Sequence, residues 1–163
     1  MLTDAQKQTL KAAILADPAL AAHPNNSDGA FAIAEALNQL ASPDFIVWRS
    51  KLPLEEVTAL DGFAWNLVDS LTVGQARIWE WLFDNPERAI NASKSNVRAG
   101  VANVWSGTTP KTAVQTAIIA VAKRKATRAE KLLASGTGSD GSPAVMGFEG
   151  ALSYSDVQEA RNS

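Results

Sequence analysis

The chain has 163 residues, 46% of them hydrophobic, with a formal net charge of −2, one histidine and no cysteine. That length is about one domain's worth, and the apolar fraction is enough for a core, so the chain as a whole is not disordered. The lack of cysteine excludes disulfides, thiolate metal sites and a cysteine nucleophile, and His23 alone cannot build a multi-histidine metal centre.

The first helix is signalled by Thr3 as a cap and Asp4 in the first turn, with Leu10, Ile14 and Leu15 as its apolar face. "ADPAL" ends it, because the residue before Pro18 is driven out of the helical region. "AHPNNSDG" is turn chemistry, and "DGAFAIAEALNQLA" predicts a second helix. Asp28 is its candidate cap, and Phe31, Ile33, Ala34, Leu37 and Leu40 recur at spacings of three and four. The run "FIVW" between Pro43 and Pro53 is either a short strand or an extended buried connection.

The middle of the chain carries Phe63, Trp65, Trp79, Trp81 and Phe83, read mainly as core. Thr72 followed by Gln75 is a capping box that predicts a helix over 73–83, which Asn85-Pro86 stops. Trp79 and Trp81 lie two apart on that helix, so one must face away and is available to another chain. A further helix is expected over 94–105, with Ser93 as cap and Gly107 past its end. From Thr109 and Pro110 the pattern predicts one long helix of about 25 residues, spanning almost 40 Å. Val114, Ile118, Val121, Ala122, Ala129 and Leu133 form its inward face.

On that helix "KRKATRAEK" concentrates Lys123, Arg124, Lys125, Arg128 and Lys131 against a single acid, Glu130. Arg124, Arg128 and Lys131 share one face at i, i+4 and i+7. Such a stripe suits non-specific contact with DNA, an acidic partner, or simply solvent. No phosphate-binding glycine loop, HExxH or GxSxG is present, and Glu55-Glu56 do not face one another, so neither an enzyme nor a cofactor is expected.

Residues 135–142, "SGTGSDGS", have the composition of a flexible tether. Beyond them Val145, Met146, Phe148, Leu152, Tyr154 and Val157 form a patterned segment, with Ser155 and Gln158 as capping signals for a final short helix. Too short to fold alone, it is expected to be an arm that packs on a partner. The fold expectation is therefore mainly α: a helical domain over 1–134 with one long helix, and an extended C-terminal arm (a short strand and a terminal helix) over 135–163. No apolar run approaches the ~20 residues of a membrane span and no secretory pattern opens the chain, which makes a soluble cytoplasmic protein the default.

The opening "LTDAQKQTLKAAILADPALAA", the stretch "FIVWRSKLP" and "ATRAEKLLASGTGSDGSPAVMGFEGALSYSDV" resemble a family of small proteins from the structural gene blocks of tailed bacteriophages. The resemblance covers most of the chain and is densest at its two ends. It implies a virion component assembled in the host cytoplasm: a head-to-tail connector, with the adaptor beneath the portal ring as its leading form. The implied partners are the portal protein, a downstream tail or stopper protein and further copies in a ring, with a dodecamer expected. In that setting the basic residues face a DNA channel or an acidic neighbour. A stopper or tail terminator and a helical DNA-binding packaging accessory are the alternatives. The resemblance implies no catalytic residue.

Overall fold

The computed structural model describes residues 1–163, and it divides into two compact units: Met1–Val47 with Lys125–Ser163, and Trp48–Arg124. In chain order the helices are α1 (Asp4–Ala16), α2 (Pro18–Ala21), α3 (Ser27–Asn38), α4 (Leu54–Thr58), α5 (Val73–Leu82), α6 (Ser95–Val104), α7 (Thr109–Val121), α8 (Arg128–Leu132) and α9 (Tyr154–Asn162). A 3-10 turn covers Trp65–Ser70. The strands are β1 (Ile46–Trp48), β2 (Leu52–Pro53), β3 (Ala89–Ile90), β4 (Lys123–Lys125), β5 (Ala134–Ser135) and β6 (Val145–Met146). With 53% of residues helical and no strand longer than three residues, the fold is mainly α.

In the first unit, α1 opens on a reciprocal cap. The Thr3 hydroxyl accepts the Gln6 N–H, and the Gln6 side chain accepts the Thr3 N–H. Leu10 and Ile14 face inward from α1, and Ile33, Ala34 and Leu37 from α3, whose cap is Asn26 rather than Asp28. Leu15, Phe31 and Leu40, expected on the apolar faces, point to solvent at 60% exposure or more. The groove between α1 and α3 is filled by α9, which buries Val157 and Ala160 there, with Leu152 just before it.

That packing corrects the expectation of a separate arm. Leu152 and Val157 belong to the core of the first unit, and Phe148 packs at its edge. The amphipathic α9 cannot hold a shape unaided, but α1 and α3 present apolar side chains, Leu10, Ile14, Ile33 and Leu37 among them, for it to pack on. Burying a Leu or Val there is worth about 2 kcal/mol. Polar contacts fix the register. Gln6 Nε2 donates to the Gly147 carbonyl at 2.7 Å, Lys7 pairs with Glu159 at 2.8 Å, and Arg161 donates to the His23 and Pro24 carbonyls. The final helix is capped by Ser153 and Asp156, two residues ahead of the expected Ser155 and Gln158.

The glycine- and serine-rich stretch is likewise a built turn. β5 and β6 pair antiparallel, Ala134 with Met146 and Ser135 with Val145, so residues 136–144 close a hairpin. The Gly138 carbonyl accepts the Ile46 N–H at 2.7 Å, and the Ala144 N–H donates to the Ile46 carbonyl at 2.9 Å. Gly138 lies at φ +68 against the Phe45 ring, where a Cβ would meet ring carbon at 2.1 Å. Glycine here serves close approach rather than looseness.

The single long helix is also corrected. α7 stops at Val121, the chain passes through β4, and a new helix begins at Arg128. Thr127 accepts the Glu130 N–H at 3.1 Å while Glu130 Oε2 accepts the Thr127 N–H at 3.0 Å, a capping box that starts α8. Val114, Ile118 and Ala122 are buried in the second unit and Ala129 in the first, so one expected stripe serves two cores.

The second unit pairs β2 with β3, Leu52 opposite Ile90, and packs α5 on α6 and α6 on α7. α5 carries the expected Thr72–Gln75 capping box. Trp105 lies fully buried among Val104, Val114, Ile118 and Phe63. Its indole N–H has no hydrogen-bond partner.

Candidate functional site

Aromatic side chains dominate the second unit. Trp79 meets Phe83 edge-on at 4.9 Å and Trp105 at 5.3 Å, and Phe63 meets Trp105 at 5.4 Å. These T-shaped contacts suit the ring quadrupole. Trp79 therefore turns inward and Trp81 outward, as the two-residue spacing requires, and Trp81 stands 66% exposed. Trp65, expected in the core, is 64% exposed and meets the Phe63 ring edge-on at 5.0 Å. Neither α5 nor the 3-10 turn contains a buried residue, although Val73, Trp81 and Trp65 are among their side chains. Val73, Arg77 and Trp81 recur every four residues along one outward face of α5.

Two open clefts adjoin these rings. One, of about 600 Å³, is lined by Trp65, Pro53, Pro86, Lys51, Glu55 and Arg88. The other, of about 660 Å³, is lined by Trp81, Trp79, Glu80, Asp84, Leu54 and Arg88. Arg88 stands at both because the Asn85 side chain clamps the turn. Its Nδ2 donates to the Ala89 carbonyl at 2.9 Å and its Oδ1 accepts the Ala89 N–H at 3.2 Å. Arg88 is held at φ +45, a conformation that disfavours a side chain with Cβ. Lys51 and Glu87 pair at 3.0 Å on the rim of the first cleft.

The first unit carries a different concavity, of about 450 Å³. Leu20, Leu37, Leu132 and Ala13 form its apolar wall, and Arg128 and Lys131 stand on its rim. Arg128 donates to Asp17 at 2.9 Å. Burial pushes the Asp17 carboxyl up, but the Ala19 amide and Arg128 outweigh it and hold that carboxyl below its usual range. The Lys131 ammonium lies 5.6 Å over the Phe45 ring.

The expected arm residues thus separate. Leu152 and Val157 are core, Phe148 and Met146 are partly buried against the first unit, and only Val145 and Tyr154 are exposed. The basic stripe is divided as well. Lys123, Arg124 and Lys125 lie in β4, and Arg128 and Lys131 in α8, so they do not share a helix face. Lys125 pairs with Asp44 at 2.6 Å and Arg128 with Asp17. Thr127 and Glu130, three apart in "TRAE", were the available signal for this break. The polar clamps by Gln6 and Asn38 left no such signal, since their partners lie more than a hundred residues away.

No three or more His, Asp or Glu side chains are grouped to hold a metal ion, and no helix is long and apolar enough to cross a membrane. Comparison with protein-family models, curated proteins and solved structures finds no match to this chain.

Proposed function

We propose that this protein is a structural component of a tailed-phage virion, a head-to-tail connector of the adaptor kind that docks on the portal ring, in a ring of its own copies. The resemblance at both ends of the sequence supplies the class. One structural observation supports an assembly role: Trp65, Val73 and Trp81 are exposed at 64%, 78% and 66% on α5 and the turn before it. Large rigid aromatics left in solvent suit burial at the centre of an interface with another chain.

This face of the second unit is then buried in the assembly, against the portal or a further copy; of the C-terminal segment only Val145 and Tyr154 are left exposed, because the rest is committed to its own core. Sedimentation of the protein alone and mixed with the portal protein tests the reading. Co-sedimentation of several copies per portal ring, lost on changing Trp65 and Trp81 together to Ser, is the expected result. Absence of any portal-bound species with the intact protein sinks it.

A further inference from the structure

The pocket of the first unit and the Trp81 corner of the second unit have complementary chemistry. The pocket offers about 450 Å³ walled by Leu20, Leu37, Leu132 and Ala13, with Arg128 and Lys131 at its rim. Arg128 is partnered by Asp17 and Lys131 only by the face of Phe45, so the rim keeps an excess of positive charge. Trp81 projects from the last turn of α5 at 66% exposure, with the exposed acids Glu80 and Asp84 beside it. Neither acid has a cationic partner in its own chain. An indole fits an apolar hollow of this size, and two unpaired carboxylates fit a rim with surplus cation.

We infer that Trp81 of one copy inserts into the α1–α3–α8 pocket of a second copy, with Glu80 and Asp84 set against Lys131 and Arg128. This deepens the assembly reading above and rests on it. The contact is heterologous, joining two different surfaces of the same chain, so a joined pair keeps one free socket on the first copy and one free knob on the second. Such a contact propagates copy after copy, and closes into a ring where the rotation permits. The buried indole is the anchor, and the flanking charges fix its approach.

The chain has no cysteine, so engineered thiols report on this contact without background. One preparation carries Asp84→Cys beside the knob and a second carries Ala13→Cys in the socket wall; they are mixed and oxidised. The expected product is the mixed dimer, in large excess over either like-with-like dimer. Trp81→Ala in the first chain should lower its yield at least tenfold. Glu80→Lys in the first chain should lower it several-fold, and Lys131→Glu in the second should restore it. Because Glu80 and Trp81 are exposed, those two changes test the contact without disturbing either core.

Like-with-like Asp84→Cys dimers in excess would show a symmetric α5 contact instead and overturn the inference. A mixed dimer indifferent to Trp81→Ala, or no cross-link above that of random collision, would overturn it too. If portal binding by the intact protein persists in those cases, the assembly reading survives and the socket is taken by another chain or by none.

Discussion

Asn38, the last residue of α3, brackets the backbone of Leu152: its Oδ1 accepts the Leu152 N–H at 2.8 Å and its Nδ2 donates to the Leu152 carbonyl at 3.0 Å. One side chain thus does for the returning chain what a neighbouring strand would do, 114 residues away in sequence. Nearby, buried Glu130 accepts the Gly150 N–H at 3.1 Å while also capping α8. Replacing Asn38 by Ala strands both groups of Leu152 and should cost about 2 kcal/mol. Asn38→Asp keeps the acceptor and loses the donor, and should cost less. Thermal unfolding of the two variants checks the order; equal, negligible losses would mean that the bracket does not hold the segment.

The C-terminal segment should be indispensable to the first unit. Deleting 147–163 removes Leu152, Val157 and Ala160 and uncovers the groove of α1 and α3, including Leu10, Ile14 and Ile33. Amide hydrogen exchange should then accelerate throughout α1 and α3 while α6 and α7 of the second unit stay protected. The single change Leu152→Ala should cost about 3 kcal/mol. A truncated chain with native protection in α1 would contradict this packing.

Two glycines separate steric crowding from backbone strain. Gly138→Ala meets the Phe45 ring at 2.1 Å and sits at φ +68, whereas Gly107→Ala at φ +100 has open space around it. Gly107→Ala should cost about 1–2 kcal/mol through its conformation alone. Gly138→Ala should cost more, because Phe45 and the Ile46 hydrogen bond must also shift. Denaturant midpoints measure the difference, and a Gly138→Ala loss no larger than that at Gly107 would refute the close packing.

Trp105 carries a buried donor with no partner. Trp105→Ala should destabilise the second unit by about 4 kcal/mol through lost burial and the cavity left behind. Trp105→Phe removes the unmatched N–H along with some volume, so its cost should fall well below half of that. Unfolding followed by near-ultraviolet circular dichroism distinguishes the two.

Acid should weaken the fold through three carboxyls. Hydrogen bonds from Arg49 hold Glu56 below its usual range. Burial pushes Asp156 up, but the Ser153 hydroxyl and N–H outweigh it, and Asp17 is lowered in the same manner by Ala19 and Arg128. A folded value below the unfolded one gives stability that is complete above the unfolded value and lost as pH falls through the folded one. The melting temperature should therefore drop below about pH 4. Glu56→Gln and Asp156→Asn should each flatten that drop. Lys7 behaves oppositely: its hydrogen bond to Glu159 raises it, so its contribution holds through neutral pH and fades only in alkali. An acid limb unchanged in both variants would exclude these pairs as its source.

Local chemistry was legible where its partners are near in sequence. The Thr3 and Thr72 caps, the stop at Asp17-Pro18, the mainly helical character and the opposed directions of Trp79 and Trp81 all follow from spacings of a few residues. Those are set by backbone geometry, which any sequence carries with it. The division of the 109–133 pattern between two cores, the return of α9 to α1 and α3, and the exposure of Trp65 were decided by tertiary structure alone. A helical stripe says that a face will be buried; what buries it depends on which distant groove has matching shape and unpaired backbone, and only the folded chain supplies that.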